Sequence, residues 1–271
     1  MALPPPALPP YVDGLIAGFH QGLVGRDVHL GCWHTPPGAA QLQAPQAWPA
    51  AQARLTDWLL ALAGLADGQR VLDVGCGFGG TLQAVAARWQ RMALLGLNID
   101  ARQLALCASL PPPPGQQLQW LQADACALPL APASVDRVLC IEAMFHFGSR
   151  RRFYAEAARV LAPGGALVVA DMLPQLLETD AGDRALAAAL VDGFGPWPDI
   201  WGRDADHQAL AAAAGLRCSR HIDATAHTLP SHVFTAAGPA PAEPIGRAAA
   251  ALAQLHRGGR LHYGLWRFEK P

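Results

Sequence analysis

Apolar and polar positions change their rhythm along this chain. Residues 11 to 40 begin as a helical pattern and pass into a Gly/Trp/Pro-rich loop, "HLGCWHTPPG". Residues 47 to 66 repeat at helical spacing, with Leu55, Leu59, Leu62 and Ala66 on one face and Gly68 as the stop. Short apolar runs then alternate with helical stretches: strand "RVLDVG", helix Thr81–Trp89, strand "MALLGLNI", helix Arg102–Leu110, the breaker "PPPPG", strand "LQWLQA", strand "VDRVLCI", helix Arg152–Leu161, strand "ALVVADM". Strands alternating with helices predict a parallel sheet covered on both faces.

After Met172 the alternation loosens. A helix is predicted over 180–194, then the loop "GPWPDIWG", a helix capped by Asp204 and ending near Gly215, and a sixth strand, "LRCSRHIDA". A proline-punctuated stretch, an alanine-rich helix (Arg247–His256) and a last strand, "RLHYGLWRFE", complete the pattern. Nothing helical follows that strand, so it is expected to join the sheet edge antiparallel.

Composition narrows the classes. The 271 residues are 52% hydrophobic and 15% charged, with a formal net charge of −1, so nothing points to nucleic acid or an anionic membrane surface. No apolar run approaches a membrane span, and "MALPPPALPP" is too proline-rich for a signal peptide; a polyproline or disordered tail is expected. The six cysteines form no CxxC, and no Cys/His spacing matches a zinc site, so no metal and a reduced, cytoplasmic protein are expected.

The stretch "VLDVGCGFGG" carries the chemistry. From Gly75 to Gly80 it satisfies the dinucleotide fingerprint G-x-G-x-x-G; from Asp73 to Gly79 it satisfies D-x-G-x-G-x-G. A glycine turn after the first sheet strand brings backbone N–H groups close to a ligand in either case. Downstream residues separate the two. "GLNID" offers the amide of Asn98, with Asp100 two residues on, where a dinucleotide site prefers a carboxylate. "QADACALPLAPASVDRVLC" after the third strand is not a dehydrogenase pattern, which disfavours an NAD-dependent oxidoreductase.

Taken with "HLGCW", "GLNIDARQL", "ADACALPL", "EAARVLAPGGALVVADM" and "DATAHTLPSH", the loop carries a resemblance running from about Leu30 to the C-terminus. The chain resembles class I S-adenosylmethionine-dependent methyltransferases, in the small-molecule branch that includes tocopherol-type and natural-product enzymes. The resemblance implies an α/β, Rossmann-like fold with a seven-stranded sheet of order 3-2-1-4-5-7-6, strand 7 antiparallel. It implies a Pro-rich tail and lid over 1–46, and a methyltransferase domain over 47–271 with substrate-covering segments at about 174–203 and 224–258. Asp73, Gly75, Cys76 and Gly77 would hold the methionine end of S-adenosyl-L-methionine, Asn98, Ile99 and Gln103 the ribose, and Asp124 with Ala125 the adenine. Many class I enzymes carry a carboxylate where Asn98 stands; an amide is the weaker acceptor.

Acceptor-side chemistry is sought in "CIEAMFHF". Glu142 would anchor the cofactor's amine or line its pocket. His146 is the preferred general base, since imidazole titrates near neutrality; the bland alternative is a histidine that only bonds a backbone carbonyl. Asp223 and His227 form a second possible acid–base pair, and His29 and His34 are expected to be surface residues flanking the lid loop. Trp33, Trp197 and Trp201 sit in loops expected to cover a small apolar or aromatic acceptor. O-methylation in natural-product biosynthesis, with S-adenosyl-L-homocysteine as product, is the leading expectation. The alternatives are C-methylation of an electron-rich carbon or alkene and a non-methylating, cyclase-like relative.

Overall fold

The computed structural model describes residues 8–35, 37–109, 111–235 and 242–271. The first seven residues of the proline-rich start, the end of the predicted helix at 110, and 236–241 within the expected covering segment lie outside the described residues.

One sheet organises the chain, in the order β3-β2-β1-β4-β5-β7-β6. The strands are β1 (Arg70–Val74), β2 (Ala93–Asn98), β3 (Gln117–Gln122), β4 (Val135–Ile141), β5 (Leu161–Pro174), β6 (Arg217–Asp223) and β7 (Leu261–Glu269). The first five pair in parallel, whereas β7 runs antiparallel between β5 and β6. The resemblance implied this order. The bare pattern placed the last strand at the edge; its burial on both faces, including Tyr263, Leu265, Trp266 and Phe268, suits an inner position instead.

Helices cover both faces: α1 (Tyr11–His20), α2 (Ala39–Leu42), α3 (Ala47–Ala63), α4 (Gly80–Arg88), α5 (Ala101–Ala108), α6 (Arg150–Val160), α7 (Ala181–Phe194), α8 (His207–Ala213), α9 (Thr225–Thr228), α10 (His232–Thr235) and α11 (Pro244–Arg257). Successive strand residues point to opposite faces. Val71, Leu139, Val168 and Leu265 pack against α3, α4, α7 and α11, while Leu72, Val138, Val169 and Trp266 pack against α6 and α8.

Among the boundaries that differ from the sequence reading, two have a clear local cause. Helix α3 ends at Ala63, not near Gly68, because Gly64 takes the left-handed conformation and closes the last turn onto Ala61 O. Helix α8 is capped by Asp206, whose carboxylate accepts from Gln208 N and Ala209 N, whereas Asp204 pairs with Arg151.

A buried polar chain pins α6 and α8 to β5. The Arg150 guanidinium lies 2.9 Å from Asp171, Asp171 lies 3.2 Å from His207 Nε2, and the Tyr154 hydroxyl meets His207 Nδ1 at 2.7 Å. Burial raises the Asp171 carboxyl, but Arg150 and His207 outweigh it and hold it below its ordinary range.

Candidate active site

A cleft opens at the carboxyl ends of β1, β2 and β4, where an open α/β sheet binds its ligands. About 1170 Å³ of empty space, open solvent at the mouth included, lies within its walls. The sheet brings Asp73, Gly75, Cys76, Gly77, Asn98, Ile99, Gln103, Asp124, Ala125, Glu142 and His146 to its walls, from four separate stretches of sequence.

The loop after β1 forms the floor. Gly75 N and Cys76 N both donate to Leu97 O, binding the loop to β2. Gly75 has φ of +76°, and a Cβ there would lie 2.3 Å from the Cβ of Ala143. Only glycine lets the loops after β1 and β4 approach so closely. Asp73, at the end of β1, is buried, and burial pushes its carboxyl up to about 7 against the opposing pull of His29.

At the β2 end, Asp100 is not free to meet a ligand. Its carboxylate caps α5 through Arg102 N and is gripped by the Arg102 guanidinium at 2.7 Å. Asn98 remains, buried, with Oδ1 accepting from Asp100 N at 3.2 Å. On the β3 side, Asp124 Oδ1 accepts from Cys126 N.

Glu142 directly follows β4 and lies in the left-handed region, φ +48°, which is strained for a residue with a Cβ. That turn directs its carboxylate to two donors: Oε1 accepts from Leu30 N at 2.8 Å and from the Tyr263 hydroxyl at 2.5 Å. Burial raises the carboxyl, offset in part by His29 and these donors. His146 follows in a single 3-10 turn, Met144–His146. Its Nδ1 lies 3.2 Å from Pro196 O and its Nε2 3.1 Å from the Tyr11 hydroxyl. A carbonyl only accepts, so Nδ1 holds the proton and Nε2 the lone pair. Burial drives the imidazole down to about 4.

Other predicted residues sit elsewhere. Trp33 is buried beside Ala47, Ala51 and Phe234, its Nε1 donating to Ser231 Oγ. Trp197 is buried in the main core against Phe145, and Trp201 packs partly buried beside it. None of the three lines the cleft, because each finds apolar cover under its own loop. Asp223 is exposed at the end of β6 and accepts from Thr225 N, with His262 at 3.7 Å, so it does not pair with His227. His227 Nδ1 faces Trp33 O. His34 is exposed as expected, but His29 is buried, with Nε2 bonded to Thr56 and Nδ1 to Leu30 O.

Sequence reasoning missed the cleft residues of the N-terminal stretch. Tyr11, Val12, Leu15, Arg26 and Asp27 all line it, although no local motif marks them. It also missed a cluster formed across the chain: ligand atoms of Cys32, His34 and His227 lie within 4.8 Å of one another. Their spacing in sequence conceals it, since His227 arrives from beyond β6.

Known proteins agree with this architecture. Residues 72–169 match a family described as "Methyltransferase domain". The chain is 32% identical to methyltransferase GfsG of Streptomyces halstedii, over 76% of this chain and 71% of that protein. It is 31% identical to 27-O-demethylrifamycin SV methyltransferase of Amycolatopsis mediterranei, over 77% of this chain and 73% of that one. Its fold superimposes on geranyl diphosphate C-methyltransferase of Streptomyces coelicolor A3(2), solved with Mg2+, geranyl diphosphate and S-adenosyl-L-homocysteine. The TM-score is 0.73 at 18% identity, covering 99% of this chain and 100% of that one. By these matches the chain belongs to the class I S-adenosylmethionine-dependent methyltransferases that act on small molecules.

Proposed function

We propose that the chain methylates a hydroxyl of a small, largely apolar or aromatic metabolite in natural-product biosynthesis, releasing S-adenosyl-L-homocysteine. The observation that carries this reading is the lone pair of His146 Nε2, held at the wall of the same cleft as Asp73 and Glu142.

The buried Asp73 carboxylate suits a cationic group, and with Gly75, Cys76 and Gly77 it would hold the methionine end of S-adenosylmethionine. Asn98, Ile99 and Gln103 would take the ribose, Asp124 and Ala125 the adenine. Glu142 would act from the β4 side, its Oε1 engaged by Leu30 and Tyr263 and its other oxygen offered to the ligand. The bound cofactor supplies a methyl group activated on a sulfonium sulfur. The protein's work is alignment and water exclusion, which supply roughly 7–11 kcal/mol when well arranged, and removal of one proton.

His146 takes that proton. The carbonyl of Pro196 fixes its tautomer, so Nε2 can accept from an acceptor hydroxyl in the position Tyr11 occupies. A weak base suffices, because a hydroxyl becomes strongly acidic as its oxygen gains the methyl group. Leu15, Phe147 and Pro196 give the acceptor side an apolar wall, with α1 as its cover. Trp197 contributes indirectly, by holding Phe145 beside His146. No described helix is long and apolar enough to cross a membrane, and all six cysteines are free, which favours a reducing, cytoplasmic setting.

The test is incubation with methyl-labelled cofactor and a panel of hydroxylated aromatic and macrocyclic acceptors. Label in a methoxy group supports the proposal. Label on carbon overturns it in favour of C-methylation. Cofactor binding without transfer across the panel overturns it in favour of a non-methylating relative.

A further inference from the structure

Cys32, His34 and His227 lie outside the cleft and take no part in the chemistry above. Cys32 is buried, His227 half-buried and His34 exposed, so the cluster runs from the core out to the surface. Cys32 Sγ lies 3.8 Å from His34 Nδ1. Zinc bonds sulfur at about 2.3 Å and imidazole nitrogen at about 2.0–2.1 Å, which puts such donors roughly 3.6 Å apart across a tetrahedral ion. The cluster is within a few tenths of an ångström of that spacing on this edge.

We propose that Cys32, His34 and His227 form a zinc site that ties the loop after α1 to α9. Three further observations support it. His227 Nδ1 lies 3.1 Å from Trp33 O, which accepts only, so the proton sits on Nδ1 and Nε2 keeps the lone pair a metal needs. Trp33 N returns a bond to His227 O at 2.8 Å, so two distant parts of the chain are already in register. Around Cys32, the backbone N–H donates to Ala51 O and the carbonyl accepts from Arg54 Nε, fixing the thiol's direction from α3. One thiolate and two imidazoles favour a borderline-soft ion over magnesium or calcium, which prefer oxygen. Three protein donors leave a fourth position for water on the side of exposed His34. The same loop donates Leu30 N–H to Glu142, so a metal here would steady the segment that borders the cleft.

The test uses the full chain, stripped with a chelator under reducing conditions and titrated with Co2+, then with Zn2+. One equivalent of cobalt should bind with a thiolate charge-transfer band in the near ultraviolet and tetrahedral d–d bands, and zinc should abolish both. Cys32→Ser should remove the charge-transfer band. His34→Ala, an exposed position with little to disturb, should weaken binding at least tenfold while S-adenosylhomocysteine still binds as it does to the parent chain. No stoichiometric binding, a spectrum without the thiolate band, or undiminished binding in both variants would overturn the site. The readout is metal binding alone, so it stands or falls separately from the proposed methyl transfer.

Discussion

The hydroxyl of Tyr11 donates to Nε2 of His146, 3.1 Å away, and the two rings stack with centroids 5.7 Å apart. The first helix thus occupies the nitrogen that the proposed chemistry needs. An acceptor hydroxyl must displace the phenol before His146 can take its proton. A second tie holds the same helix down: Arg102, already clamped on Asp100, reaches Asp13 at 2.6 Å.

Tyr11→Phe keeps the ring and removes the competing donor. One neutral hydrogen bond contributes about 1 kcal/mol net. The acceptor KM should fall about fivefold, and stability to denaturant should drop by about 1 kcal/mol. Steady-state kinetics with the acceptor varied, beside urea unfolding, check both; an unchanged or raised KM would mean that Tyr11 does not compete for His146.

His146→Ala should lower kcat by about 10²–10⁴-fold and leave cofactor affinity intact. The pH profile follows from the sign of the shift. Burial lowers the imidazole from 6.5 to about 4, so its basic form is populated throughout the neutral range. With cofactor saturating, so that Asp73 does not limit binding, the His146-dependent rate should stay level between pH 6 and 8 and decline only as pH falls through about 4. A limb with its midpoint near 6.5 that vanishes in His146→Ala would contradict the neutral imidazole.

Asp73 links the cleft to stability. Its folded carboxyl titrates near 7, against 3.8 ordinarily, so between those values the folded chain keeps a proton that the unfolded chain has released. Ligand-free stability should therefore fall as pH rises from 4 to 7, by up to about 4 kcal/mol at 1.36 kcal/mol per unit. Asp73→Asn should flatten that slope and be the more stable protein at pH 8. Thermal melts of both proteins across that range decide it.

Asp171→Asn should destabilise the fold by about 3–5 kcal/mol, because it leaves the buried Arg150 guanidinium without its carboxylate. The midpoint of urea unfolding measures this. A loss under 1 kcal/mol would mean that Asp199, 3.5 Å from Arg150, carries the pairing instead.

Local signals made most of the sheet and the cofactor side legible. Asp73 to Gly79 announces a strand, a tight turn and a helix within a few residues, and "GLNID" and "ADACALPL" each end a strand at the same edge of the sheet. What the sequence concealed depends on residues meeting from afar. Tyr11 reaches His146 across 135 positions, and Tyr263 reaches Glu142 across 121. The burial of His29 has the same origin, since it lies in the loop after α1 and its partner Thr56 belongs to α3. The tryptophans misled for a different reason. A loop tryptophan reads equally well as pocket lining or as filler, and only packing decides: Trp33 stacks on Phe234, and Trp197 packs at a tilt against Phe145. Asp204 reads as the cap of α8, but its carboxylate is drawn to distant Arg151 and Asp206 makes the cap bonds.

Calorimetric titration of the chain and its Asp73→Asn variant with S-adenosylhomocysteine at pH 8 tests the account most directly. One-to-one micromolar binding to the parent chain, weakened at least tenfold in the variant, is the predicted result. No binding to the parent chain, or equal binding to both proteins, would contradict the assignment of this cleft, with Asp73 at its floor, as the cofactor site.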